Sequence, residues 1–138
     1  MRICIDSNQW IFGIGGTDPA SEALLLLIPQ LEVVIPRLIV KEVTRNLTDA
    51  QVRSFFTLVS HAPQMTIVDA PIPTPLVKKY IERGLPEKAD AFIGAFAEWQ
   101  RVQYLISDNR HFLSELSNAA FDVLRPEAFL ERYAHTFR

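Results

Sequence analysis

Five acidic residues stand where acids can do chemistry. Asp6, Asp69 and Asp108 each follow directly on a short apolar run of strand character, in Ile3-Cys4-Ile5-Asp6, Thr66-Ile67-Val68-Asp69 and Leu105-Ile106-Ser107-Asp108. Asp90 lies in the first turn of a predicted helix, with Ala89 and Ala91 beside it and Gly94 one turn on. Small neighbours of this kind let a backbone or a phosphate come close, and they serve tight helix packing equally well. Glu42 lies in another helical segment, beside Lys41 and three residues before Arg45, with which a surface ion pair is its ordinary role. Taken singly, each acid has such a role: a strand-end Asp is a common loop and cap residue, and a first-turn acid offsets the helix dipole. Asp69 reads that way most plainly, because Ala70-Pro71 leads from it into a proline-rich connection.

Other chemistries lack their residues. Gly13-Ile14-Gly15-Gly16 misses the Lys and Ser/Thr of a phosphate-binding loop, and no G-x-G-x-x-G follows a strand. His61, His111 and His135 are scattered without metal-ligand spacing, and no G-x-S-x-G elbow presents a serine nucleophile. The one cysteine, Cys4, excludes an internal disulfide and a zinc ribbon, and its apolar run makes it a core residue. What remains is an all-oxygen set of carboxylates, the kind that suits Mg²⁺ or Mn²⁺.

The elements that must position these acids alternate between strand and helix. Strands are predicted over Arg2–Ile5, Glu32–Ile35 (closed by Pro36), Met65–Val68, Val102–Ile106 and Phe121–Leu124. Asp18-Pro19 is an N-cap and first-residue pair that opens a helix through Leu27. Helices follow over Leu38–Asn46 and Asp49–Ser60, then from Thr74-Pro75 to a C-terminal Gly84. Leu85-Pro86-Glu87 restarts a helix with the apolar stripe Ala89, Phe92, Ile93, Phe96 and Ala97, and Pro126 opens a last one. Strands separated by helices build crossover units, so the expected fold is a single α/β domain over residues 1–138 with a mostly parallel five-stranded sheet flanked by helices. In such sheets ligands bind beyond the carboxyl ends of the strands, where Asp6 and Asp108 are predicted to sit.

Composition agrees with one globular domain: 138 residues, 49% hydrophobic and 22% charged, without repeats or a linker. The longest apolar runs, such as Ala23–Ile28, fall short of the roughly 20 residues that cross a bilayer. Asp6 interrupts the N-terminal apolar run before a signal peptide could form, so a cytoplasmic protein with no membrane partner is expected. Net charge is −2, from 14 basic and 16 acidic residues, which argues against a simple nucleic-acid-coating module.

The residues around the acids resemble the PIN-domain family of metal-dependent ribonucleases, which includes the VapC-type toxins. Ile5-Asp6-Ser7-Asn8 is similar to the family's D-S/T-N opening, and Leu38-Ile39-Val40-Lys41-Glu42-Val43 to its helix with a central Glu. Glu87-Lys88-Ala89-Asp90-Ala91-Phe92-Ile93 resembles the third acidic motif, and Leu105-Ile106-Ser107-Asp108-Asn109-Arg110-His111-Phe112 the fourth, S/T-x-D-x-x-F. Val123-Leu124-Arg125-Pro126-Glu127-Ala128-Phe129-Leu130 is similar to the family's closing strand and helix. The resemblance spans nearly the whole chain, in order.

It implies that Asp6, Glu42, Asp90 and Asp108 converge as catalytic acids, with Asp6, Asp90 and Asp108 on Mg²⁺ or Mn²⁺. Ser7, Asn8, Ser107 and Asn109 would orient ligands or water. It implies an endoribonuclease on RNA, with a cognate antitoxin and a homodimer as possible partners. Arg37, Lys41, Arg45, Lys88 and Arg110 lie close in sequence to these acids and are placed to hold flanking phosphates. Setting the four acids aside leaves 12 of the 16 acidic residues against 14 basic ones.

One position departs from the family pattern. Counted from Ser107, the acidic place of the fourth motif falls on Asn109, and Asp108 takes the variable place. Three outcomes stand open: Asp108 substitutes by a one-residue shift, Asn109 ligates through its carbonyl, or the corner is lost; the expectation is Asp108 with Asn109 assisting. Two rival readings stand beside the nuclease. One is a PIN-like domain that binds RNA or a protein without cutting. The other is a response-regulator receiver, in which Asp69 and Ser107 would end the third and fourth strands and Arg125-Pro126 would replace a Lys-Pro pair.

Overall fold

The computed structural model describes residues 1–85 and 87–136. Its strands are β1 (Arg2–Ile5), β2 (Glu32–Pro36), β3 (Met65–Val68), β4 (Tyr104–Ile106) and β5 (Asp122–Leu124). Its helices are α1 (Ser7–Gly15), α2 (Pro19–Leu26), α3 (Arg37–Arg45), α4 (Asp49–Ser60), α5 (Thr74–Glu82), α6 (Lys88–Trp99) and α7 (Pro126–Thr136). A 3-10 turn covers Ile28–Gln30 and a π-helical turn His111–Glu115.

All strand pairs are parallel, in the order β3-β2-β1-β4-β5. Strands covered on both faces must be apolar throughout, and Ile3, Cys4, Ile5, Val33, Val34, Ile35, Leu105 and Ile106 are all buried. The chain builds outward from β1 to β3, then returns to place β4 on the other side of β1. The β1/β4 boundary is therefore the switch point, where the connections diverge and leave a crevice above the strand ends. This order differs from the 2-1-3-4-5 order of a receiver. In addition β3 is an edge strand, and Asp69 after it is drawn into an ion pair with Arg37. The receiver reading is thereby corrected.

Local chemistry sets most boundaries. The Asp18 carboxylate accepts from the Ser21 amide at 3.2 Å and caps α2. Thr48 and Gln51 form a reciprocal capping box that opens α4. Five elements differ from the sequence expectation. Helix α1 lies in a stretch where the residue pattern predicts no element, capped by the Asp6 side chain. Thr74 is the first residue of α5 and makes no capping bond; Pro73 precedes it as the cap. The π-turn was not expected, and β4 and β5 start later than predicted, at Tyr104 and Asp122. The expected helix start at Pro86 lies outside the described residues. From Lys88 on, α6 forms as expected.

Gly84 ties the approach to α6 to the β4–β5 connection. It has φ +113°, and a Cβ placed there would lie 2.1 Å from the Glu115 carbonyl oxygen. The Ser117 amide donates to the Arg83 carbonyl at 2.9 Å beside it. An L side chain at Gly84 meets backbone strain and a backbone clash together, so Gly84→Ala should cost about 2–4 kcal/mol. In a domain of this size that is roughly 10 °C in Tm. A thermal melt of the variant within 2 °C of wild type would contradict the close approach.

Candidate functional site

Asp6 is the hub. It follows β1 directly, its amide donates to the Ile106 carbonyl of β4 at 3.0 Å, and it is 6% exposed. One carboxylate oxygen accepts from the Ser7 amide at 2.8 Å and caps α1; the other accepts from the Ser107 hydroxyl at 2.7 Å. Burial pushes its pKa up, the Glu42 and Asp90 carboxylates add to the rise, and the bonds from Ser107 and Ser7 oppose it, leaving a value of about 6. An acid this deep is costly to ionise, and its nearest charges are other acids.

Glu42 reaches the hub from α3. The Ser7 hydroxyl donates to its Oε2 at 3.0 Å, while its Oε1 is buried without a hydrogen-bond partner. The i+3 ion pair with Arg45 expected of a surface glutamate is not among the salt bridges of the described residues. Asp90 comes from the first turn of α6 and is 9% exposed. Asn109 Nδ2 donates to its Oδ1 at 3.2 Å, and its Oδ2 is likewise buried and partnerless. Burial raises its pKa and the Glu87 carboxylate adds to this, against the bond from Asn109.

Asp108 and Asn109, adjacent in sequence, part company. Asn109 is locked from three sides: its amide donates to Ser107 Oγ at 3.0 Å, its Oδ1 accepts from the His111 amide at 2.9 Å, and its Nδ2 holds Asp90. Asp108 Oδ1 accepts a long 3.5 Å contact from Asn8 Nδ2, and its side chain lines a neighbouring cleft. The structure thus brings Asp6, Ser7, Glu42, Asp90, Ser107 and Asn109 together, with Asn8 joining them to Asp108 at the rim. Among the described residues, the hydrogen bonds that tie this group together do not include Asp108. Of the basic candidates, Arg37 is engaged by Asp69 through two bonds of 2.7 and 2.9 Å, and Lys41, Arg45, Lys88 and Arg110 are exposed.

Sequence reasoning passes over Gln9. It is fully buried in the first turns of α1 with neither amide atom partnered. Its neighbours Asn8 and Trp10 gave no periodicity from which that burial could be read.

The donor set is wholly oxygen, and two carboxylate oxygens carry lone pairs into a buried space with nothing to receive them. Such oxygens are expensive to leave unmatched, and a hard cation matches them. Among the described residues, no three His, Cys, Asp or Glu side chains are drawn closely enough together to hold a metal unaided. Mg²⁺ is ordinarily held by one or two carboxylates together with water and substrate phosphate, so the residues present fit that mode. Asn109→Asp should sharpen the contrast. It removes the donor to Asp90 and sets a fourth carboxylate against it, so the variant should melt lower than wild type in EDTA and gain more from Mn²⁺. Equal gains in the two proteins would place Asn109 outside the centre.

No protein-family model and no curated protein sequence matches the chain. Solved structures do. VapBC2 from Rickettsia felis, bound to a DNA fragment from its promoter, is similar with a TM-score of 0.65 at 13% identity, covering 91% of this chain and 98% of that one. FitAcB from Neisseria gonorrhoeae has a TM-score of 0.57 at 17% identity, covering 91% and 98%. PAE2754 from Pyrobaculum aerophilum has a TM-score of 0.60 at 19% identity, covering 98% and 96%. Identities this low speak for architecture alone, and the coverage extends it over the whole domain. The chain is a single α/β domain with the PIN-like fold.

Proposed function

We propose that the chain is a Mg²⁺- or Mn²⁺-dependent endoribonuclease with Asp6, Glu42 and Asp90 as its acidic centre. The observation that carries this is the pair of buried, partnerless oxygens, Glu42 Oε1 and Asp90 Oδ2, on acids that both raise the pKa of Asp6 or share its surroundings at the switch point of the sheet. A bound divalent cation supplies charge for a phosphate oxygen and lowers the pKa of water. The chain does the remaining work. Ser7 and Ser107 fix the Asp6 carboxylate, Ser7 also holds Glu42, and Asn109 holds Asp90. The exposed Lys41, Arg45, Lys88 and Arg110 hold flanking phosphates, and Arg37 joins them on leaving Asp69.

The resemblance in sequence motifs supports RNA as substrate, and a cognate antitoxin and a second copy of the chain as partners. Among the described residues no helix is long and apolar enough to cross a membrane. The deciding experiment incubates the purified protein with generic RNA in Mg²⁺, Mn²⁺ and EDTA. Fragments that form with metal and vanish in EDTA support the reading; intact RNA in all lanes sinks it. Intact RNA together with retained RNA binding would instead establish the non-cutting alternative, which the neutral Asn109 in the fourth acidic place favours.

A further inference from the structure

A cleft of about 400 Å³ opens beyond the ends of β4 and β5, lined by Phe12, Thr17, Asp18, Asp108, Arg125 and the start of α7. It begins one hydrogen bond from the acidic centre, since Asn8 sits beside Ser7 and its Nδ2 reaches Asp108 at 3.5 Å. The acidic centre proposed above does not use Asp108, and among the described residues its one hydrogen bond is that long contact. Phe12 is half-buried, so part of its ring is offered to the cleft. Asp18 keeps its Oδ2 on Ser21, and among the described residues its Oδ1 takes no hydrogen bond.

We infer that this cleft is a nucleobase subsite that selects guanine in the nucleotide next to the cleaved phosphodiester. The inference rests on the ribonuclease reading and names the specificity of that same site. The charges on the lining decide what enters. Asp18, Asp108 and Glu127 outnumber Arg125, so a phosphate is repelled and a neutral group rich in N–H donors is favoured. Among bases, guanine alone offers two adjacent donors, N1–H and N2–H, to one carboxylate, and it presents O6 and N7 to a guanidinium. Uracil sets one N–H between two carbonyls, and adenine and cytosine each set their amino group beside a ring acceptor, so a carboxylate that meets one donor is repelled by the neighbouring lone pair. Phe12 supplies a face for stacking, which any base accepts; the carboxylate supplies the choice. This also gives the adjacent Asp108 and Asn109 separate tasks, one on the base and one on Asp90.

The test titrates the metal-free protein in EDTA with GMP, AMP, CMP and UMP, followed by calorimetry or by NMR shifts. GMP should bind about tenfold or more tighter than the others, as one bidentate pair discriminates. Asp108→Asn should erase that preference while Tm shows the variant folded, and Phe12→Ala should weaken all four ligands together. Equal binding of the four nucleotides, no binding, a preference for CMP, or a preference that survives Asp108→Asn overturns the inference. Mapping of cut sites in Mn²⁺ separates it from the reading beneath it. Cleavage without guanine at the cut overturns the subsite and leaves the nuclease. A GMP preference in a protein that cuts nothing overturns the nuclease and leaves the subsite.

Discussion

Asp90→Asn and Asp6→Asn are each expected to lower metal-dependent RNA cleavage by about a hundredfold or more, equivalent to roughly 2.7 kcal/mol of transition-state stabilisation. Each change removes a full negative charge and leaves the shape of the side chain almost untouched. At Asp90 the loss falls on the residue whose Oδ2 is buried without a partner, while Asn109 still has an amide oxygen to bond. At Asp6 the Asn side chain still caps α1, because asparagine is as good a cap as aspartate. Folding is thus conserved and the loss reports on charge. Asp69→Asn is the control: Asp69 is exposed, its pKa is held down by Arg37, and it stands apart from the acidic centre. Its activity should stay within about twofold of wild type, since exposed ion pairs contribute little. Equal losses at Asp69 and Asp90 would move the site away from the β1/β4 boundary, and full activity of Asp90→Asn would remove Asp90 from the chemistry.

The control matters because sequence and structure agree on these residues for different reasons. Asp6 was legible as a strand-end acid at the carboxyl edge of a parallel sheet, and that is where it lies. Its second role was not legible: the same carboxylate caps α1, a helix whose Gly13, Gly15 and Gly16 weaken any helical signal and whose apolar residues Trp10, Ile11 and Phe12 run together without period. Elements bounded by strong local chemistry were read to the residue. Helix α4, with its capping box, and β1 and β3, short apolar runs, are of this kind. The pairing of Ser7 with Glu42 spans 35 residues and follows from where β2 delivers α3, which no local pattern encodes. The parting of Asp108 from Asn109 depends on the backbone of a loop: Ser107 Oγ takes the Asn109 amide, and the π-turn amide of His111 takes its side chain. The motif could raise the question of which residue faces Asp90; the loop geometry answers it.

A buried acid whose pKa is raised also makes the metal-free protein sensitive to pH, and the direction is fixed. Asp6 titrates at about 6 in the folded chain and near its ordinary value of 3.8 when unfolded. Between those values the folded state holds more protons, so stability falls as pH rises from about 4 to 6 and the full cost is carried above. Asp90, also raised, acts in the same sense. A shift of this size corresponds to at most about 3 kcal/mol, or roughly 5–10 °C in Tm, lost between pH 4 and pH 7.5 in EDTA. Asp6→Asn should flatten that slope and melt higher than wild type at pH 7.5, because the cap is kept and the buried charge is gone. His111, whose pKa is raised by its bond to Glu115, gives a slope of the same sign in both proteins and cancels in their difference. Mn²⁺ should reverse the ranking. At ten times its dissociation constant it stabilises wild type by about 1.4 kcal/mol, some 3–5 °C, and the variant by much less. An Asp6 that serves only as a helix cap behaves in the opposite way. The variant then melts no higher in EDTA at pH 7.5 and responds fully to Mn²⁺, and that pair of results would remove the cation from the site.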